Sequence, residues 1–243
     1  MGVPTLDPML KSWRLGTAFG FPVEVNVSFL ILLGLVLIGF GGLAGVMIVL
    51  LAFASVLLHE LGHAIVARKL GVFVSGIELG FLGGAAKMEN LPRKADHELA
   101  IAAAGPAVSL MLGGAGLGLA ALTHVGLFAT IGWINLVIAG FNLIPALPMD
   151  GGRILRALLS KRMSYIAATD AAVYVSRIAA ISFGVFGLAF GVFQLIVLAP
   201  FLWMMGTREA LIARMTQAPY GGGGAQRVVV RNVGGRLVIE AID

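Results

Sequence analysis

The sequence predicts an all-α polytopic membrane protein: about six transmembrane helices, with a small membrane-associated β-hairpin or sheet after the second. Three observations predict it. The 243 residues are 59% hydrophobic and 12% charged, with a mean hydropathy of +0.98; an ordinary soluble domain carries about 25% charged residues. Apolar stretches recur at close to the ~20 residues needed to cross a bilayer. Lys and Arg gather in alternate connections between those stretches, as the positive-inside rule requires of a multi-span chain.

The first span is read over 22–40, with Val27 to Phe40 as its apolar centre and Phe21 to Val25 extending it. No continuous apolar region with a small-residue cleavage site precedes it, so it is read as an uncleaved targeting signal. The second span covers 43–70, the third 99–122 and the fourth 125–145. The last apolar block is too long for one crossing and is divided near Phe190-Gly191 into spans over 169–189 and 191–207. Together 1–210 form one membrane domain, and 211–243 form a tail. Within the tail Gly221 to Gly224 reads as a flexible linker. Arg227 to Arg231 and Arg236 to Glu240 flank Gly234-Gly235 as a hairpin.

Orientation follows from charge. Lys11 and Arg14 precede the first span, and Arg68, Lys69, Lys87, Arg93 and Lys94 separate the second and third. Arg153, Arg156, Lys161 and Arg162 separate the fourth and fifth, while the opposite turns carry no Lys or Arg. Both termini are therefore expected to be cytoplasmic, in a cell (inner) membrane. The net charge of +5 is explained by these connections and does not call for nucleic acid. With no cysteine, a thiolate metal site and a disulfide framework are both excluded.

Inside the second span stands His59-Glu60-Leu61-Gly62-His63, after a run from Gly45 to Leu58 with no charge. Each charged residue at a helix centre costs about 2.5–3.5 kcal/mol on the insertion scale, so this cluster needs an offsetting role. Positions i and i+4 share a helix face, so His59 and His63 can present two imidazoles to one ion. Glu60 can reach a water bound to it, whose pKa the metal lowers toward ~7. A catalytic zinc takes three protein ligands and keeps one position open. Asp150, in Asn142-Leu143-Ile144-Pro145-Ala146-Leu147-Pro148-Met149-Asp150-Gly151-Gly152-Arg153, is the best third ligand. It stands at the cytoplasmic end of the fourth span, on the same side and at a similar depth. The alternative for Asp150 is a helix N-cap. Broken backbone around Pro145 and Pro148 is tolerated at membrane depth where it lines a cavity. His97 and His124 are placed in loops as solvated side chains. The glycines of Gly113 to Gly118 are read as close helix packing, not phosphate binding.

These motifs resemble the site-two protease family of intramembrane zinc metalloproteases, in a minimal prokaryotic form. The resemblance spans about Phe21 to Arg208. It rests on His59 to Ala64, Gly71 to Leu79, Ala104-Gly105-Pro106 and Asn142 to Arg153. It implies one Zn2+ held by His59, His63 and Asp150, Glu60 as the general base, and Asn142 beside the scissile peptide as a substrate or oxyanion contact. Two positions depart from the family pattern: Met149 replaces a common Leu, and Ser109 replaces a common Asn three residues after the Pro. The loop from Gly71 to Ala95 is too short for a PDZ domain, and the tail too short for paired CBS domains.

The expected function is zinc-dependent hydrolysis of a peptide bond in or next to a transmembrane segment. This serves regulated intramembrane proteolysis, with an anti-sigma factor as one possible substrate, or clears signal-peptide remnants. The competing class is a non-enzymatic zinc transporter or sensor, which should distribute ligands along a path through several spans. A protease for prenylated C-termini needs another arrangement of Glu and His. The stretch Val72 to Met88, rich in glycine, is expected to form a β-hairpin that pairs with an unwound substrate.

Overall fold

The computed structural model describes residues 12–40, 42–80, 83–88, 94–217, 227–233 and 236–242. Lys11, Arg93, the Gly221–Gly224 linker and the Gly234–Gly235 turn lie outside them.

Strands β1 (Ser12–Ala18) and β2 (Phe21–Asn26) come first, followed by α1 (Val27–Leu35), which continues through a π-helical turn over Val36–Phe40. Then come α2 (Gly42–Lys69), β3 (Val74–Gly80), β4 (Gly83–Met88), α3 (Ala95–Thr123), α4 (Gly126–Asn142), α5 (Asp150–Ser160), α6 (Tyr165–Phe190) and α7 (Phe193–Gln217). The chain closes with the antiparallel pair β5 (Arg227–Val233) and β6 (Arg236–Ile242), the hairpin read from the tail.

Four of the described helices are long and apolar enough to cross a membrane: α2, α3, α6 and α7. Two shorter apolar helices cover Val27–Gly39 and Gly126–Asn142. The expected division of the last apolar block falls where predicted. Gly191, in the left-handed region at φ 70°, caps α6 and lets the chain reverse into α7.

The first span needs correction. Phe21 to Val25 does not extend α1; it is strand β2. Phe21, Val23 and Val25 are buried while Pro22, Glu24 and Asn26 are half-exposed, the period-two pattern of a sheet with one covered face. Asn26 then starts α1, its side chain accepting from the Ser28 backbone N–H. The expected hairpin after the second span is present as β3–β4, but it belongs to a larger four-stranded sheet. The strand order is β1-β2-β3-β4, with β2 and β3 parallel and the outer pairs antiparallel. Strand β4 is therefore an edge. Lys87 on β4 reaches Glu24 and Glu78 at 2.9 Å each, tying three strands together; its ammonium holds the Glu78 carboxyl below the usual range.

The sheet packs on α2 through one core cluster, in which Phe21, Val23, Val25, Ile77 and Leu79 meet Leu61, Ala64 and Ala67. Helices α3 and α4 approach closely through glycine: a Cβ at Gly116 would come within 2.8 Å of the Gly132 backbone, and one at Gly113 within 2.7 Å of Leu136. The packing reading of these two glycines is thus correct; Gly114 and Gly118 face open space. Burial is inverted relative to a water-soluble protein. Trp133, Val137, Phe186 and Leu188 are exposed, whereas Glu98 and Arg156 are buried and paired, with Arg156 Nε donating to Glu98 at 2.7 Å and Nη1 to Glu209 at 3.1 Å. That web joins the start of α3 to α5 and α7.

Candidate metal centre and cleft

Helix α2 presents His59 and His63 one turn apart, and both are buried. Asp150 reaches them from another part of the chain. The segment 143–149 breaks away from α4, and Asp150 is the first residue of α5, not its cap: Met149 holds the cap position. The carboxylate turns inward instead. Its Oδ2 lies 3.0 Å from His59 Nε2 and 3.1 Å from His63 Nε2, and the two Nε2 atoms are 3.2 Å apart. Glu60 joins the two histidines in a group whose donor atoms lie within 4.8 Å of one another.

The opposite edge of each imidazole is also held. His63 Nδ1 is 2.6 Å from the Ile101 carbonyl, and His59 Nδ1 is 2.9 Å from Ser109 Oγ. A carbonyl can only accept, so His63 donates from Nδ1, and in its neutral form it turns a bare Nε2 toward the centre. Ser109 can accept in the same way. Two lone pairs and a carboxylate oxygen then converge on one point, an arrangement that a cation resolves. The separations of 3.0, 3.1 and 3.2 Å lie just inside the roughly 3.3–3.6 Å between tetrahedral ligands at zinc bond lengths of ~2.0–2.2 Å, so the donors need open by only a few tenths of an ångström. Gly105 on α3 makes room: a Cβ there would collide with the Nε2 of both histidines. The donor set therefore fits a zinc ion, with imidazoles oriented by hydrogen-bonded partners as in known zinc sites.

Beside this centre opens a cavity of about 160 Å³, lined by Glu60, His63, Asn142, Asp150, Arg153 and part of β4. The Glu60 carboxylate accepts the backbone N–H of Ala86 at 3.1 Å, so β4 turns its unpaired edge toward the cleft. Asn142 ends α4, with Nδ2 donating to the Ile138 carbonyl. All five residues singled out from the sequence thus border one cleft or the centre beside it. His97 and His124 do not join it; His97 lies in the first turn of α3, not in a loop, and His124 caps the end of that helix in the left-handed region. Three participants were missed. Ser109, noted only as a departure, orients His59. The Ile101 carbonyl carries no side-chain signal at all. Arg153, counted only as a connecting charge, lines the cleft, and its buried Nε has no partner among the described residues.

A membrane-helix scaffold with a buried His-His-Asp donor set and an adjoining carboxylate defines a zinc-hydrolase type of centre. The chain belongs to peptidase family M50, whose model matches residues 46–126 and 118–186. It is similar to a zinc metalloprotease of Methanocaldococcus jannaschii, with 37% identity over 216 residues covering 85% of this chain and 63% of that protein. A putative zinc metalloprotease of Synechocystis is 38% identical over 176 residues, covering 62% of this chain and 45% of that protein. Among solved structures, the site-2 protease from Methanocaldococcus jannaschii superposes with a TM-score of 0.64 at 37% identity, covering 82% of this chain and 95% of that one. The chain spans less than two thirds of the length of these two curated relatives.

Proposed function

We propose that this protein is a zinc-dependent endopeptidase that hydrolyses a peptide bond in or beside a transmembrane segment of another protein. The observation that carries the reading is the convergence of His59, His63 and Asp150 next to a cleft that Glu60 borders. His59, His63 and Asp150 hold the ion, which supplies a Lewis acid and an activated water when bound. Glu60 takes the proton of that water and returns it to the leaving amine. Asn142 and Arg153 bind substrate backbone carbonyls along the cleft; the buried Nε of Arg153, without a partner among the described residues, is costly until such an acceptor arrives.

A membrane helix hides its peptide bonds in its own hydrogen bonds, so the substrate must unwind. The β4 edge receives it as an added strand. The Ala86 N–H passes from Glu60 to a substrate carbonyl, and Glu60 is released toward the reacting centre as the substrate seats. The shorter helices Val27–Gly39 and Gly126–Asn142 also cross the bilayer, giving six spans, cytoplasmic termini and a site near the cytoplasmic face; residues 1–210 form the protease domain. Membrane-tethered regulators and leftover signal peptides are the substrates this arrangement suits. A transporter or sensor is disfavoured because the donors gather at one depth beside a cleft.

The test pairs two variants on a model membrane-helix substrate. Glu60→Gln should keep zinc while cleavage stops, and Asp150→Ala should lose zinc. Full activity of Glu60→Gln would remove Glu60 as the base, and unchanged zinc occupancy in Asp150→Ala would remove Asp150 from the ligand set.

A further inference from the structure

A second cavity, of about 410 Å³, lies between α6 and α7 and shares no lining residue with the cleft. Its polar lining is Asp170, Tyr174, Arg177, Thr207 and Arg214. Arg214 Nη2 donates to Asp170 at 3.0 Å, so the groove's one carboxylate is already neutralised. Arg177 is exposed and has no carboxylate partner among the described residues; its guanidinium lies over the Trp203 ring, 5.0 Å from the centroid. The groove therefore carries one unbalanced positive charge on an outward face of two helices apolar enough to span a membrane.

The depth of the groove can be read from the sequence. Beyond Arg177, α6 runs without a charge from Ile178 to Phe190, and α7 from Phe193 to Met205, each roughly 20 Å at 1.5 Å per residue. Arg177 and Thr207 thus stand where the apolar stretches end, and Arg214 lies about two turns further out along α7. Trp203 and Tyr174, 44% and 66% exposed, have the amphipathic rings that collect at headgroup level. From the groove an apolar stripe runs along α6: Ile178, Ile181, Val185 and Leu188, exposed by 49–73%. Their spacing keeps them on one helix face.

We infer that this groove is a binding site for an anionic phospholipid. The phosphate sits between the guanidinium groups of Arg177 and Arg214, whose planar forks suit phosphate oxygens, and one acyl chain lies along the Ile178–Leu188 stripe. A basic pocket between spans at headgroup depth is the geometry that lipid phosphates fill. The stripe selects a lipid over free phosphate, because only a lipid also covers the apolar residues. The inference rests on the membrane placement of α6 and α7 and is independent of the hydrolytic reading.

The test uses the full chain purified in detergent, exposed to equal amounts of phosphatidylglycerol and phosphatidylcholine. Retained lipid is counted by native mass spectrometry. The parent should retain phosphatidylglycerol severalfold over phosphatidylcholine, and Arg177→Gln and, separately, Arg214→Gln should abolish that preference while zinc binding is unchanged. Equal retention of both lipids by the parent, or a preference that survives both substitutions together, overturns the site. Displacement of the lipid by millimolar inorganic phosphate overturns the lipid assignment in favour of a free anion. Failure of the parent chain to float with liposomes would instead overturn the membrane placement on which the site depends.

Discussion

Replacing Ser109 with Ala should weaken zinc binding by about 10- to 100-fold without unfolding the protein. Ser109 is fully buried and its Oγ is 2.9 Å from Nδ1 of His59, itself only 2% exposed. When Nε2 of His59 faces the metal, its proton must sit on Nδ1, and Ser109→Ala leaves that N–H buried without an acceptor. Such an orphan costs ~1–3 kcal/mol, or roughly 5- to 150-fold in affinity at 1.4 kcal/mol per tenfold, which brackets the range for partners that orient zinc-bound histidines. The cost falls mainly on the metal-bound form. Without the ion, His59 can move its proton to Nε2 and donate to Asp150 Oδ2, 3.0 Å away, which leaves only a bare Nδ1 lone pair against the new methyl group, so the metal-free fold bears less of the penalty. Competition against a chelating dye on the detergent-solubilised chain reads the change directly, with circular dichroism as the folding control. Ser109→Asn supplies an acceptor of its own and should stay closer to the parent. A zinc affinity in Ser109→Ala within twofold of the parent would refute the orienting role.

Other perturbations probe the surrounding structure. Arg156→Met should destabilise the fold by ~3–5 kcal/mol, because it strands Glu98 buried and unpaired; thermal unfolding in detergent measures this, and a change below 1 kcal/mol would show the web to be weakly coupled. Ala86→Pro removes the N–H that now caps Glu60 and that an added substrate strand would use. Cleavage should fall while zinc binding holds, and unchanged turnover would rule out pairing on β4. Because the chain has no cysteine, single cysteines at Gly126 and at Lys161 report topology cleanly. A membrane-impermeant thiol reagent should label them from opposite sides, and labelling from one side would show that α4 does not cross.

Much of the site could be read from local sequence because its signals are local. The spacing of His59 and His63 places them on one face of any helix. The absence of charge around them makes an accidental pair expensive, and the prolines and glycines after Asn142 mark a break. The break at Gly191 and both hairpins were legible for the same reason, since glycine placement and the length of apolar runs act over a few residues. Where local signals compete, the sequence misleads. Phe21 to Asn26 alternates with period two but adjoins a long apolar run; pairing with β1 and β3 decides the matter.

The sequence by itself determined a helical membrane scaffold, the metal-type motif on α2 and the short list of residues able to complete it. Tertiary structure alone decided how the imidazoles are turned, by Ser109 and the Ile101 carbonyl, that β4 offers its edge to Glu60, and that Arg153 lines the cleft while Arg156 is locked between Glu98 and Glu209. The physical reason is distance along the chain. These contacts join residues that are 26 to 58 positions apart, and two of them use backbone atoms that every residue possesses. No periodicity or composition can mark such partners before the helices and the sheet have packed.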